Sequence, residues 1–222
     1  GMAAARSAQL FNLSELASPF QLSRTTIGDY VALLENIFLL ERIPPWHSNR
    51  SSRLVKTPKL HMGDTGLACG LLGLDAKALA ADRAQLGALL ETFAYQELRR
   101  LASWHPHHHD FYHFRDRDKV EVDIVIERGA RQLAGVEVKA AATVTMADFR
   151  GLRKLRKTTG KRFVAGVVLY DGEACVSFGE GLFAVPLRML WEIYPEDPQS
   201  MHIPAHREHF FWSKVNTDSD ST

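Results

Sequence analysis

The sequence predicts an α/β protein, a mixed β-sheet sandwiched by helices, with a smaller and mostly helical module in front of it. Two observations carry that expectation. Phe111–Arg115, Val120–Glu127, Leu133–Lys139, Phe163–Tyr170 and Ala174–Phe178 are short apolar runs rich in β-branched and aromatic residues, bounded by turn-forming residues. A long amphipathic pattern precedes these runs, and a basic one at Met146–Thr158 interrupts them. Helix, strands, crossover helix and further strands are the order of an α/β sandwich.

The first module is placed at residues 3–74. Ala3 to Leu10 reads as the middle of a helix, and Gly1 before Met2 as a remnant of tag removal. The natural chain is therefore expected to begin further upstream. Asn12-Leu-Ser-Glu15 has capping-box spacing and opens a short helix, which ends in a turn at Ser18-Pro19-Phe20. Ser23 then caps a second helix, in which Ile27, Tyr30, Val31, Leu34 and Ile37-Phe38 recur at helical spacing. Strands at Phe38–Ile43 and Arg53–Met62 flank Pro44-Pro45. Short helix, turn, longer helix and hairpin together suggest a winged helix-turn-helix.

The α/β domain is placed at residues 75–195. Asp82-Arg-Ala-Gln85 caps its leading helix, with Leu86, Leu89, Leu90, Phe93, Leu98 and Leu101 on the apolar stripe. Residues 196–222 form a tail, whose Phe210-Phe-Trp212 can dock on the body. Its end, Asn216 to Thr222, is polar, acidic and expected to be disordered.

Composition bounds the function classes. With 222 residues, 45% hydrophobic and 24% charged, the chain can bury a proper core without staples. A net charge of +1 leaves nucleic-acid binding to local clusters. Cys69 and Cys175 lie far apart in apolar surroundings, which suits free thiols in a reducing cytoplasm. No apolar run reaches the roughly 18 residues of a membrane span, and no signal-peptide core opens the chain.

The chemistry concentrates in residues 120–139, VEVDIVIERGARQLAGVEVK, two apolar strands around a glycine-containing turn. Glu137 and Lys139 share a strand face, and hairpin pairing brings Asp123 alongside. Two close carboxylates repel unless a proton or cation sits between them. A hard divalent cation is the natural occupant, with the lysine holding a phosphate or orienting a water. Those are the parts of a metal-dependent phosphodiesterase.

Asp123 followed by Glu137-Val-Lys139, with a glutamate on the preceding helix, resembles the core of the PD-(D/E)XK nuclease superfamily. Glu91-Thr-Phe-Ala-Tyr-Gln-Glu-Leu98, Arg115, Arg53-Leu-Val-Lys-Thr-Pro-Lys-Leu60 and Gly63-Asp-Thr-Gly-Leu67 extend the likeness. Together they resemble the uncharacterised C-terminal domain that follows an AAA-type ATPase module in many prokaryotic proteins. The resemblance implies a restriction-endonuclease-like mixed sheet flanked by helices. It implies Mg²⁺ or Mn²⁺ held by Asp123, Glu137, the Val138 carbonyl and Glu91. Lys139 would act on the developing phosphorane or the attacking water, so the catalytic set is Lys139, Glu137, Asp123 and Glu91. It also implies an AAA-type ATPase partner module and DNA as substrate. An oligomer stays open, and no membrane is expected. Val122 stands where the superfamily often has proline. Glu97 lies about 120° around the helix from Glu91 and is assigned to the surface or a domain boundary. Glu121 shares a face with Asp123 and is read as solvated.

Basic residues mark candidate DNA contacts. Arg24, Thr25 and Thr26 open the would-be recognition helix, with Gly28 and Asp29 behind them. Arg42, Arg50, Arg53, Lys56 and Lys59 follow on the hairpin, and Arg115 lies in the nuclease-like pattern. The helix Arg150–Lys157 adds Arg153, Lys154 and Lys157 on its outer face, a run that ordinary solvation explains equally. The leading expectation is the C-terminal effector region of an AAA-type ATPase-like protein that hydrolyses DNA phosphodiesters with Mg²⁺; the alternative is a non-catalytic DNA- or protein-binding regulatory module on a degenerate nuclease fold. A plain transcription regulator, binding through the first module alone, is a third.

Other signals are discounted. Asp64-Thr65-Gly66 imitates an aspartic-protease tripeptide, and Gly160-Lys161-Arg162 lacks the Ser/Thr of a P-loop, so no ATP-binding loop is expected. The His105–His109 run reads as a helix end, and His202, His206 and His209 as no zinc site.

Overall fold

The computed structural model describes residues 1–46, 57–129 and 132–192. Arg50, Arg53 and Lys56 lie outside them, as do the tail histidines, Phe210–Trp212 and Asn216–Thr222.

A mixed sheet of six strands forms the larger layer. Its strands are β4 (Asp110–Arg115), β5 (Glu121–Arg128), β6 (Gln132–Lys139), β7 (Phe163–Tyr170), β8 (Val176–Gly179) and β9 (Leu182–Pro186), ordered β4-β5-β6-β7-β9-β8. β6, β7 and β9 run parallel, while β4, β5 and β8 pair antiparallel with their neighbours. The parallel step from β6 to β7 needs a crossover, which helix α7 (Arg150–Thr159) supplies after a 3-10 turn at Met146–Phe149. Alternation along the strands builds two cores. Ala134 and Val136 face helix α6 (Arg83–Ser103) with its Ala94, Tyr95 and Leu98. Leu133 and Val122 face Leu152 and Leu155 of α7. Helix, sheet and helix thus form three layers, and α6 starts where Asp82 accepts hydrogen bonds from the Ala84 and Gln85 amides.

The smaller layer carries a third core. It contains α1 (Met2–Ala5), β1 (Gln9–Leu10), α2 (Leu13–Ala17), α3 (Arg24–Asn36), β2 (Leu40–Ile43), β3 (Lys59–Met62), α4 (Thr65–Leu72) and α5 (Ala76–Ala81). β3 is central in an antiparallel β1-β3-β2 sheet. Helix α2, a 3-10 turn at Ser18–Phe20, α3 and the β2–β3 pair follow in the predicted order.

Local differences from expectation have physical causes. The helix expected over Ala3 to Leu10 stops at Ala5, because the Ala8 amide bonds the Leu60 carbonyl and Phe11 that of Pro58. Edge pairing outcompetes one more helical turn. The strand expected from Phe38 starts at Leu40, since Phe38 adopts φ 60 and is 79% exposed. A Cβ on Gly63 would meet the Phe38 carbonyl oxygen at 1.9 Å, so only glycine fits beside this turn. Asp64 accepts from the Leu67 amide and caps α4, which gives the protease-like tripeptide a structural role. The last predicted strand shifts to Val176–Gly179, and β9 was not anticipated. Among the described residues no helix is long and apolar enough to cross a membrane.

Candidate functional site

The site forms where the β4–β5 register slips. Tyr112 faces Val125 but Phe114 faces Val122, and regular β5–β6 pairing extends only to Ile124 opposite Val136. Such a bulge re-aims a side chain. Asp123 turns along the sheet and its Oδ2 accepts from the Val138 amide at 3.0 Å, a carboxylate replacing a ladder carbonyl. Glu137 hydrogen-bonds to Asp123. Glu91 reaches the same place from α6.

The cation among these carboxylates is Lys59, from β3. Its Nζ lies 2.7 Å from Glu91 Oε1 and 3.3 Å from Asp123 Oδ1, with side-chain exposures of 6%, 12% and 11% for Lys59, Glu91 and Asp123. Burial works against the ammonium, but Glu91 and Asp123 outweigh it and hold the Lys59 pKa above the ordinary lysine value. Burial and the charge of Asp123 push Glu91 up to about 8, against the pull of Lys59. Burial, then the charge and hydrogen bond of Asp123, push Glu137 well above the glutamate range. Glu137 is thus the protonated partner and donates to Asp123. His61, on the same face of β3, is buried and neutral: desolvation, the Lys59 charge and His113 all lower its pKa. Its Nδ1 lies 3.1 Å from Thr92 Oγ1, which lies 2.8 Å from Ser7 Oγ, and Gln96 donates to the Met62 carbonyl. This buried polar network fastens β3 to α6.

Helix α7 closes the cluster through one glycine. A Cβ on Gly151 would stand 1.9 Å from the Glu121 carbonyl oxygen and 2.5 Å from Glu137 Oε1. On the open side, Arg6, Lys59, Glu91, Arg115 and Glu121 are among the residues lining a cavity of about 310 Å³.

Of the residues proposed from sequence, Asp123, Glu137 and Glu91 come together. The Lys139 ammonium instead lies 2.6 Å from Asp148 Oδ2. Although burial opposes it, that contact and bonds from Thr145 hold Asp148 below the usual aspartate value. The Val138 amide is turned to Asp123. Glu97 pairs with Arg100 and accepts from the Trp191 indole. Among the candidate DNA contacts, Arg115 pairs with Glu121 at 2.7 Å, Lys154 with Asp116 at 3.2 Å, and Arg153 donates to the Met146 carbonyl. Lys157, Arg24 and Thr25 are exposed, and Thr26 is tied to the Ser23 cap. Lys59, grouped by sequence with surface phosphate contacts, is 4% exposed. The signal for its role was its position between apolar neighbours, because a lysine is almost never fully buried unless paired.

These residues do not fit a divalent cation as arranged. One Asp123 oxygen faces an ammonium and the other an amide, Glu91 is held by Lys59, and Glu137 spends a proton on Asp123. Among the described residues, no three His, Cys, Asp or Glu side chains stand so as to hold a metal ion.

The raised pKa of Glu137 has a consequence for stability. A carboxyl whose folded pKa exceeds its unfolded value contributes fully below the unfolded value, near 4.5, and loses that contribution as pH rises. Glu137→Gln keeps a donor for Asp123 and removes the ionisation. Thermal melts are expected to show it close to wild type at pH 5 and more stable than wild type at pH 8. A gap that stays constant across that range would contradict the protonated assignment.

Two uncharacterised proteins, one of Mycobacterium tuberculosis and one of Mycobacterium bovis, are each 28% identical to the chain over 179 residues, 80% of its length. The chain spans only 38% of the length of these relatives. No solved structure matches. Residues 1–78, which contain Lys59, match a domain of unknown function (DUF8612). Residues 86–190, which contain Glu91, Asp123 and Glu137, match a second domain of unknown function (DUF4143).

Proposed function

We propose that this chain is a non-catalytic, protein-binding regulatory module that works beside an AAA-type ATPase, with a winged-helix-like unit set on a nuclease-type α/β core. One observation carries the reading: the Lys59 ammonium lies between Glu91 and Asp123, where hydrolysis would need a divalent cation. Lys139, the lysine expected to act on phosphate, is engaged by Asp148.

A protein partner is favoured over DNA by α3. Tyr30, Leu33 and Ile37 lie at helical spacing on its outward face, each more than half exposed, and Phe38 follows at 79%. A helix that reads a groove presents polar and basic side chains to base edges. The intramolecular partners of Arg115, Arg153 and Lys154 argue the same way. The ATPase association rests on the resemblance of the sequence to domains that follow such modules. Relatives more than twice as long as the matched region leave room for one.

The second reading, Mg²⁺- or Mn²⁺-dependent DNA hydrolysis, is favoured by the convergence of Glu91, Asp123 and Glu137. One experiment separates the two: circular DNA is incubated with Mn²⁺ and the wild type, Glu137→Ala or Lys139→Ala. The regulatory reading predicts the same background nicking from all three. Nicking by the wild type that both substitutions abolish would establish the nuclease instead.

A further inference from the structure

We propose that the outward face of α3 is a self-association surface, on which a second copy of this chain seats its own α3 across a two-fold axis. This rests on the protein-binding reading and names the partner.

Helix α3 has more apolar surface than the core beneath it can cover. Ile27 and Val31 are buried in that core, and Leu34 packs against it. Tyr30, Leu33 and Ile37 then form a second stripe, 55%, 56% and 53% exposed, which Phe38 extends at 79%. Residues three and four apart on a helix are neighbours, so the stripe is one patch. The backbone that carries Phe38 is fixed at its end, with φ 60 and the carbonyl seated against Gly63.

Area decides what such a patch can hold. At these exposures the four side chains offer roughly 450 Å² of surface, a patch of the size that is often functional on a monomer. Interfaces are roughly 60% apolar, so an apolar part of that size belongs to about 750 Å² per copy. Two copies together would bury about 1,500 Å², the standard size for a specific pair.

Charge and symmetry select the second copy. Thr26, Asp29 and Asn36 complete the face, and Asp29 is its one charged side chain. Glu35, to the side, is already engaged by Arg42 at 2.6 Å. A charged partner therefore has little to meet here, whereas an identical apolar stripe does. A two-fold axis through Leu33, at right angles to the helix, sets the two α3 helices antiparallel. Tyr30 of one copy then meets Ile37 and Phe38 of the other. The two Asp29 carboxylates, each four residues from Leu33, stand at least about 12 Å apart along the helices. That exceeds the roughly 8 Å over which exposed charges act at physiological salt. Self-pairing thus buries the stripe without opposing like charges.

Analytical ultracentrifugation of the full chain, from low micromolar to submillimolar concentration, compares wild type with Leu33→Glu and Trp104→Glu. Trp104, at the C-cap of α6, is 88% exposed and lies outside the patch. The wild type is expected to dimerise, and Leu33→Glu to weaken the dimer roughly a hundredfold, because it brings two charges together at the axis. Trp104→Glu should dimerise like wild type. Should Leu33→Glu fail to fold, Leu33→Ser reads the same loss without an added charge. Under mild oxidation Leu33→Cys should cross-link two chains well beyond the wild type with its own Cys69 and Cys175. Asp29→Cys, too far from its copy for a disulfide, should not. A wild type that stays monomeric throughout overturns the proposal and hands the stripe to a different protein. A dimer that Leu33→Glu and Leu33→Ser leave intact overturns it too, by placing the contact elsewhere. Either result leaves the regulatory reading standing, which nicking lost in Glu137→Ala and Lys139→Ala would sink.

Discussion

Lys59→Met is expected to lower the unfolding free energy by about 3–5 kcal/mol in metal-free buffer, read by urea denaturation at neutral pH. The size follows from burial. Glu91 and Asp123 keep 12% and 11% of their side-chain exposure, so neither can recover much hydration once the ammonium has gone. Breaking one partner of a buried ion pair leaves an uncompensated charge, which costs more than the intact pair contributes. The loss should shrink when Asp123→Asn is added, because the carboxylate left without its ammonium is then removed as well. A loss below about 1 kcal/mol would mean the pair is screened like a surface salt bridge, and the cluster could not be called closed.

Gly151→Ala is the second large effect, expected near 3 kcal/mol, at the upper end of the overpacking range. Most overpacked sites relax because a flexible side chain moves aside. Here the added methyl meets the Glu121 carbonyl oxygen at 1.9 Å, and that backbone belongs to β5. Either α7 lifts from the sheet, opening the contacts of Leu152 and Leu155, or β5 shifts at the residue two before Asp123. Both routes disturb the cluster. Gly151→Ala should therefore also change the pH dependence of stability attributed to Glu137, whereas a cavity-forming change such as Leu98→Ala on the far side of the sheet should not. Equal stability of Gly151→Ala and wild type would contradict the close seating of α7.

What could be read in the sequence was mostly local. Asp82 and the stripe behind it place α6, because capping and a 3.6-residue period act within a few residues. Asp123 and Glu137 were legible for a similar reason, because they flank one hairpin, whereas Glu91, on the helix before it, was marked only by the family resemblance. The role of Lys59 was not legible. Its contacts span 32 residues to Glu91 and 64 to Asp123, and no periodicity connects a β3 lysine to them. Tertiary burial turned a residue that looked like a surface phosphate contact into the centre of the charge cluster. The opposite error touched α3, where Tyr30 and Ile37 fit a helical core pattern but face outward, and only Ile27 and Val31 are buried. An apolar stripe wider than the core it covers cannot be apportioned from spacing alone. β9 escaped because Leu182–Pro186 is short and ends in proline, and its place beside β7 depends on non-local parallel pairing.

The most direct measurement is a crystal structure of the full chain grown with Mn²⁺, with anomalous scattering recorded at the manganese edge. The account predicts no anomalous peak beside Asp123, with the Lys59 ammonium still bridging Glu91 and Asp123. A manganese peak between Asp123 and Glu137, with Lys59 displaced into the cavity, would contradict it.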